Sequence, residues 1–247
     1  MKTLKGKLIV SNILLCTAIF MLVATTIAYF TAQRQMSATL TSGNVKIALS
    51  EAAVKSDGKG NLIEDPDAAR IFGTPEATVH DYGMVYPGQT IFKDPTIRNT
   101  GSNDAFIAAK VVFEDGAGDL HKIYGYPESN GIDIELLLKG ALLDEKINVG
   151  WWNGHEEVCY NDRYAMIQVA EPHESKYTFY FLFSKPFQQN ETEMLFDTLY
   201  IDEFLSGHDL QELRDLKITV QAFGVQTYGF ESCYQAMTTA FPTHFTF

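Results

Sequence analysis

The chain reads as an all-β protein, a jelly-roll-like antiparallel β-sandwich with a few short helices, preceded by an N-terminal signal helix. Three observations predict this. Eight to ten short runs are rich in β-branched and aromatic residues and are separated by turn signals, the pattern of sandwiches and jelly rolls. The run Lys176–Ser184, KYTFYFLFS, sets Tyr177, Phe179, Phe181 and Phe183 on one face and Tyr180 and Leu182 on the other, an aromatic period of two that belongs to a sheet. At the N-terminus, three lysines and a long uncharged apolar stretch stand apart from everything that follows.

That first segment reads as an export leader. Lys2, Lys5 and Lys7 form its cationic start, no residue from Leu8 to Gln33 is charged, and the apolar heart Ile13–Ala28 closes on the small residues Ala24, Thr25, Thr26 and Ala28. A cut after Ala28 meets a signal peptidase's demand for small residues and makes Tyr29 the first mature residue; Ala24 is the alternative end point. A membrane-spanning helix takes about 17–25 apolar residues, so the same stretch also suits a retained anchor, and both fates stay open. Cys16 does not fit a lipid-attachment site, because bulky Leu15 precedes it and the apolar run continues. The chain therefore divides into a leader, 1–28, and a single domain, 29–247, with no internal repeat and no Pro-, Gly- or Ser-rich linker.

Along that domain, Val45, Ile47 and Leu49 alternate with Lys46 and Ala48 as a half-buried strand. A polar loop with the sequence SDGKGN follows within Ser56–Asp67, and a short helix is predicted around Pro66–Phe72. Strands are predicted over Gln89–Arg98, Ala105–Glu114, Ile132–Lys139, Ile147–Trp152, Tyr164–Ala170, Lys176–Ser184 and Met194–Ile201. Leu210, Leu213 and Leu216 share helical spacing within His208–Leu216; a last strand, Lys217–Thr227, and a terminal helix, Phe230–Ala240, complete the chain. Pro87-Gly88 makes a turn, since Pro fixes φ at the first central position and Gly accepts φ > 0 at the second. Asn99-Thr100-Gly101 punctuates two β-rich runs in the same way.

Charge and cysteine count narrow the function. The 19 Lys and Arg face 31 Asp and Glu, a net of −12 that becomes −15 once the three leader lysines are removed. A nucleic-acid footprint needs clustered cations, and the domain has none. A domain of this length buries roughly 70% or more of its unfolded surface and needs no staples. Only Cys159 and Cys233 remain after the leader; outside the cell they either pair, closing a loop worth about 2–4 kcal/mol, or stay free.

No motif for catalysis stands out. A zincin site needs two His at i and i+4 on a helix with a Glu between them. The nearest cluster is His155, Glu156, Glu157 and Cys159 in GHEEVC, and its flank Trp151-Trp152-Asn153-Gly154 predicts a strand end and a hairpin loop instead. Asp57, Lys59, Asn61 and Glu64 have a faint calcium-loop spacing, but Lys59 stands where an oxygen ligand is required, so a polar hairpin tip is expected. No residue is expected to act in catalysis or to bind a metal or cofactor, and the protein is expected not to be an enzyme.

The junction IAYFTAQ (Ile27–Gln33) and the following SATLTSGNVKIAL (Ser37–Leu49) resemble the TasA/camelysin group of exported Gram-positive proteins. In that group an AYF(T/S) junction precedes a first strand whose pattern falls here on Leu40, Gly43, Val45, Ile47 and Leu49. VYPGQT (Val85–Thr90) with IRNTGSNDAFIAAKV (Ile97–Val111) is similar to its PG turn and N-x-G turn, and VQAFGVQTYGF (Val220–Phe230) to its closing strand. The chain departs from the pattern at Thr25 and Thr26, where the group has a glycine pair, and over 114–216, which matches only in strand character. The resemblance implies a jelly-roll-like sandwich, processing by a SipW-type signal peptidase, and a secreted structural role at the cell surface or in a biofilm matrix. It also implies homo-oligomers or fibres, with a donor strand beginning Tyr29, Phe30 and running through Met36 and Leu40. The camelysin name carries a metalloendopeptidase activity, which is one alternative; a monomeric adhesin is the other. Contact with a membrane is expected only through the leader.

Overall fold

Tyr177, Phe179, Phe181 and Phe183 lie in one buried cluster and Tyr180 and Leu182 in another, on the two faces of a single strand, as the period of two predicts. The computed structural model in which this is seen describes residues 31–35, 38–39, 45–72, 86–114, 117–125, 132–145, 148–152, 155–171, 176–213 and 216–247. Its strands are β1 (Thr31–Gln35), β2 (Ala38–Thr39), β3 (Ile47–Glu51), β4 (Val54–Ser56), β5 (Leu62–Glu64), β6 (Ile71–Phe72), β7 (Thr90–Phe92), β8 (Thr96–Asn99) and β9 (Ala105–Glu114), followed by β10 (Leu138–Lys139), β11 (Asn148–Trp152), β12 (His155–Tyr160), β13 (Tyr164–Glu171), β14 (Lys176–Phe183), β15 (Thr192–Met194), β16 (Thr198–Tyr200) and β17 (Lys217–Gln226). Among the described residues four short α-helices accompany them, α1 (Ala117–Tyr124), α2 (Ile134–Leu137), α3 (Gly207–Glu212) and α4 (Cys233–Ala240), with a single 3-10 turn at Ala141–Asp144.

The fold is an all-β sandwich. One antiparallel sheet has the order β11-β12-β13-β14-β9-β17-β1-β2. Its inner face, with Ile107, Ala109, Val111, Phe113, Phe179, Phe181, Val220 and Ala222, packs on two smaller sheets ordered β15-β8-β3-β6 and β10-β16-β7-β5-β4. From those come Ile47, Leu49, Ile97, Ile91 and Leu199, joined by Leu120 and Tyr124 of α1 and by Ile134 and Leu137 of α2. The outer face is covered as well: Phe106, Ala108, Ile167, Tyr180, Phe223 and Val225 lie under Ala236 and Met237 of α4 and under Phe241 and Phe245 of the C-terminal tail. Both faces of the central strands are therefore dry, which is why β9 and β14 are nearly continuous in apolar residues.

Two runs predicted as single strands are each divided between the smaller sheets. Gln89–Arg98 breaks at Lys93-Asp94-Pro95 into β7 and β8, and Met194–Ile201 breaks at Leu195-Phe196-Asp197 into β15 and β16. Pro95 offers no N–H to a ladder, and the broken chains hold one another: Lys93 N donates to Asp197 O at 3.0 Å and Leu195 N to Pro95 O at 3.0 Å. Strands that bend from one sheet into another form the corner of a sandwich.

Other elements differ from expectation for local reasons. Pro66–Phe72 is no helix; Ala68 N donates to Asp65 O in a turn, and β6 then pairs with β3. Ile132–Lys139 is not one strand but α2 followed by β10. Ile134, Leu137 and Leu138 are buried at helical spacing while Glu135 and Leu136 face water, and the Asp133 carboxylate accepts Glu135 N to cap the turn. GHEEVC is not a hairpin loop, since His155–Tyr160 is the strand β12. In the run Val45–Leu49, Lys46 is exposed as the alternation expects, but Ala48 is buried along with Val45, Ile47 and Leu49, and β3 is buried along its whole length.

The two turns behave as predicted. Gln89 N donates to Tyr86 O across Pro87-Gly88, with Gly88 at φ 75°. The fully buried Asn99 accepts Gly101 N on Oδ1 and donates from Nδ2 to Asn103 O and Phe187 O, both at 2.9 Å.

Candidate functional site

β17 is paired along its whole length with β9, from Lys217↔Glu114 to Gln226↔Ala105, so one of its sides is taken. On the other side β1 closes it antiparallel: Thr31↔Val225, Ala32↔Gly224, Gln33↔Phe223 and Arg34↔Ala222. β2 then folds back on β1 through Arg34↔Thr39 and Gln35↔Ala38. β1, the first described strand of the chain, is thus next to last in the large sheet, with the two-residue β2 at its edge. Only Tyr29 and Phe30 separate it from the small-residue junction at Ala28. Ala28, Tyr29, Phe30, Met36 and Leu40 themselves lie outside the described residues.

Behind this edge, β3 is locked to the sheet corner by buried charges. Lys93 Nζ lies 2.9 Å from both carboxylate oxygens of Glu51, with the two side chains 2% and 4% exposed. Asp94, 1% exposed at its side chain, accepts Ala52 N on one oxygen and Arg70 Nη1 on the other, each at 2.7 Å. Arg70 continues to Thr96 Oγ1 at 3.0 Å. Every carboxylate here faces a cation or an amide N–H, the condition under which buried charge is tolerated. This network is not among the sequence expectations, although the Lys93-Asp94 pair inside an apolar β-rich run is its signal.

The residues weighed for chemistry are not brought together. His155 and Cys159 sit on one extended strand, about 13 Å apart along it. Asp57 Oδ1 accepts Lys59 N at 2.7 Å and Asn61 N at 3.0 Å, and Oδ2 accepts Asn61 Nδ2 at 3.0 Å. These bonds hold its carboxyl below the usual range, and they spend its acceptors on its own turn, a hairpin tip between β4 and β5 as expected. Among the described residues, no group of three or more His, Cys, Asp or Glu is placed to hold a metal ion.

Cys159 and Cys233 are both free thiols, so the pairing alternative is not realised. They belong to opposite faces of the large sheet: Cys159 packs against the inner cluster, and Cys233 lies in the outer one, where its Sγ donates to Ile107 O at 3.1 Å. Burial raises the pKa of both, and the nearby Glu135 and Asp133 carboxylates push Cys159 further in the same direction. Neither is an activated nucleophile.

What the arrangement offers is a strand and a sheet edge that accepts it. Among the described residues no helix is long and apolar enough to cross a membrane. Compared with protein-family models, with curated proteins and with solved structures, the chain matches none.

Proposed function

We propose that the chain is exported, loses residues 1–28, and acts without catalysis as a structural protein of the Gram-positive cell surface or extracellular matrix, in the manner of the TasA/camelysin group that it resembles. One observation carries this reading: the segment a signal peptidase would free leads directly into β1, which with the two-residue β2 forms the border of the large sheet beside β17. A short border hairpin, β1 with β2, next to a new, untethered N-terminus suits exchange between copies, since β17 makes the same main-chain bonds with a neighbour's β1 as with its own. Exchange in one direction builds a chain of subunits, and a peptidase of the SipW type would set its start. The net charge of −15 after cleavage keeps free subunits apart until it is screened or protonated.

A monomeric adhesin is the second reading, favoured by two aromatic side chains set out in solvent, Phe204 at 87% and Tyr228 at 82% exposure. Electron microscopy and sizing of the secreted protein separate the two: filaments support the matrix role, and a uniform monomer under all conditions supports the adhesin.

A further inference from the structure

We infer that three loops tied together by Gln89 form a binding surface for a neutral, β-linked polysaccharide of glucose or N-acetylglucosamine, with Tyr86 and Phe204 as its aromatic platforms. This takes up the adhesin reading for Phe204 and gives it a ligand class, and it holds for a fibre subunit and a monomer alike. The loops are the hairpin tip 57–61 between β4 and β5, the turn 86–89 before β7 and the turn 202–205 after β16. Gln89, 6% exposed, reaches all three. Its Oε1 accepts Tyr86 N at 3.0 Å, its Nε2 donates to Gly60 O at 2.7 Å, and its main-chain O accepts Ile201 N at 2.9 Å. Further bonds repeat these links: Thr90 N donates to Asn61 Oδ1 at 3.1 Å, and Gly88 N to Ile201 O at 2.9 Å. The third loop is also moored from below, where Asp202 N donates to the buried Tyr124 hydroxyl at 3.3 Å. Loops positioned by a rigid scaffold are where binding residues concentrate.

What this frame holds out is aromatic. Tyr86 is 52% and Phe204 87% exposed, while Gln89 and Ile201 beneath them are buried. The backbone under the second ring is fixed, since Asp202 Oδ1 accepts Phe204 N at 2.8 Å. The two turns touch: a Cβ built on Gly88 would lie 3.5 Å from Glu203 Cβ. Platforms ordered before the ligand arrives lower the entropy cost of binding. Glucose and N-acetylglucosamine rings in β-linkage keep their substituents equatorial, which leaves axial C–H hydrogens on both faces. Those hydrogens suit the negative face of an aromatic ring. Equatorial hydroxyls then point sideways, toward groups such as the exposed Glu203 carboxylate and Thr90 hydroxyl beside the rings. Charge selects among polymers: a net of −15 after the leader opposes an anionic one and leaves a neutral one unhindered. Size selects as well, because two rings among polar turn residues offer far less than the roughly 1,200 Å² of a stable protein interface.

The test is co-sedimentation of the full-length chain, held in a detergent without sugar headgroups, with insoluble cellulose and with chitin. The chain is expected to sediment with at least one of them, and high salt should not release it, since the polymer carries no charge to screen. Tyr86→Ala and Phe204→Ala should each weaken the apparent affinity by about tenfold, the effect of losing an anchoring ring. Both should melt as the native chain does, because neither ring is buried. Tyr228→Ala, which removes another exposed ring, beyond the end of β17, should change nothing. Failure to sediment with either polymer, or an equal loss from Tyr228→Ala, would overturn the proposal. Retention that salt abolishes, with tighter binding to polylysine, would assign the surface to a basic protein and overturn it too. Sizing of the same samples keeps the adhesin reading separate: filaments would remove the monomeric adhesin and leave this surface standing, whereas failure to sediment would remove the ligand and leave assembly untouched.

Discussion

Gly224 of β17 and Ile47 of β3 meet across the sandwich with no space for a further carbon between them. A Cβ built on Gly224 would lie 2.8 Å from Ile47 Cγ1, closer still to its Cδ1, and 3.2 Å from Ile107 Cδ1. The closing strand thus needs glycine at the point where the first inner strand presses on it, directly opposite Ala32 of the N-terminal edge. Gly224→Ala is expected to destabilise the domain by about 1–3 kcal/mol, the usual cost of overpacking a filled core. A urea titration checks this, and an unchanged midpoint would show that Ile47 gives way freely.

The aromatic face of β14 yields a contrasting pair. Phe181 is fully buried and packs near Tyr164, with ring centroids 5.7 Å apart, so Phe181→Ala should cost about 3–5 kcal/mol. Tyr177 is equally buried, yet its hydroxyl has no hydrogen-bond partner among the described residues, and burial raises its pKa. Tyr177→Phe should therefore be neutral or stabilise by about 1 kcal/mol. Calorimetry of the two variants checks the pair, and a large loss from Tyr177→Phe would reveal a bond at that hydroxyl.

Much of this fold was legible in the sequence, and the exceptions have physical causes. β9, β13, β14 and β17 stand within a residue or two of their predicted bounds because period and β-propensity agree along each of them. The corner was not legible, because Lys93-Asp94-Pro95 interrupts an otherwise uniform run, and only tertiary pairing shows that β7 and β8 belong to different sheets. Ile132–Lys139 satisfies periods of two and of 3.6 alike, and the Asp133 cap decides between them. The free state of Cys159 and Cys233 follows from which sheet face each occupies, a property that their count and spacing do not carry. Of the candidate site, the junction and its leader are matters of sequence alone, whereas the closing of β17 by β1 is visible only in the structure.

The buried corner predicts strong non-additivity. Lys93→Met removes the ammonium group that both oxygens of the buried Glu51 carboxylate face and should cost about 3–5 kcal/mol, whereas Lys93→Met with Glu51→Leu should recover most of that loss. A double-mutant cycle in urea measures the coupling, and simple addition of the two single costs would contradict the account.

The two thiols should remain unpaired under oxidation. Treated with an oxidant and then with a maleimide, the folded domain should show no loss of two hydrogens by intact mass, and Cys233 should label only on unfolding. A Cys159–Cys233 disulfide in the native protein would require one of the two to leave its face of the sheet.

Assembly should respond to charge. With a net of −15, the released domain should stay monomeric at neutral pH and low salt, and should associate as pH falls toward 4 or as ionic strength rises. Deleting residues 29–36, which contain β1, should leave a folded protein that no longer associates. Light scattering follows both, and a full-length mature protein that stays monomeric throughout would remove the fibre from the proposal.

The most direct test of the central claim, export by removal of residues 1–28, is the N-terminal sequence of the protein recovered from the culture medium and the washed cell surface. The account predicts a chain that begins Tyr29-Phe30-Thr31, released from the membrane fraction. A chain that keeps Met1 and remains with the cells would contradict it.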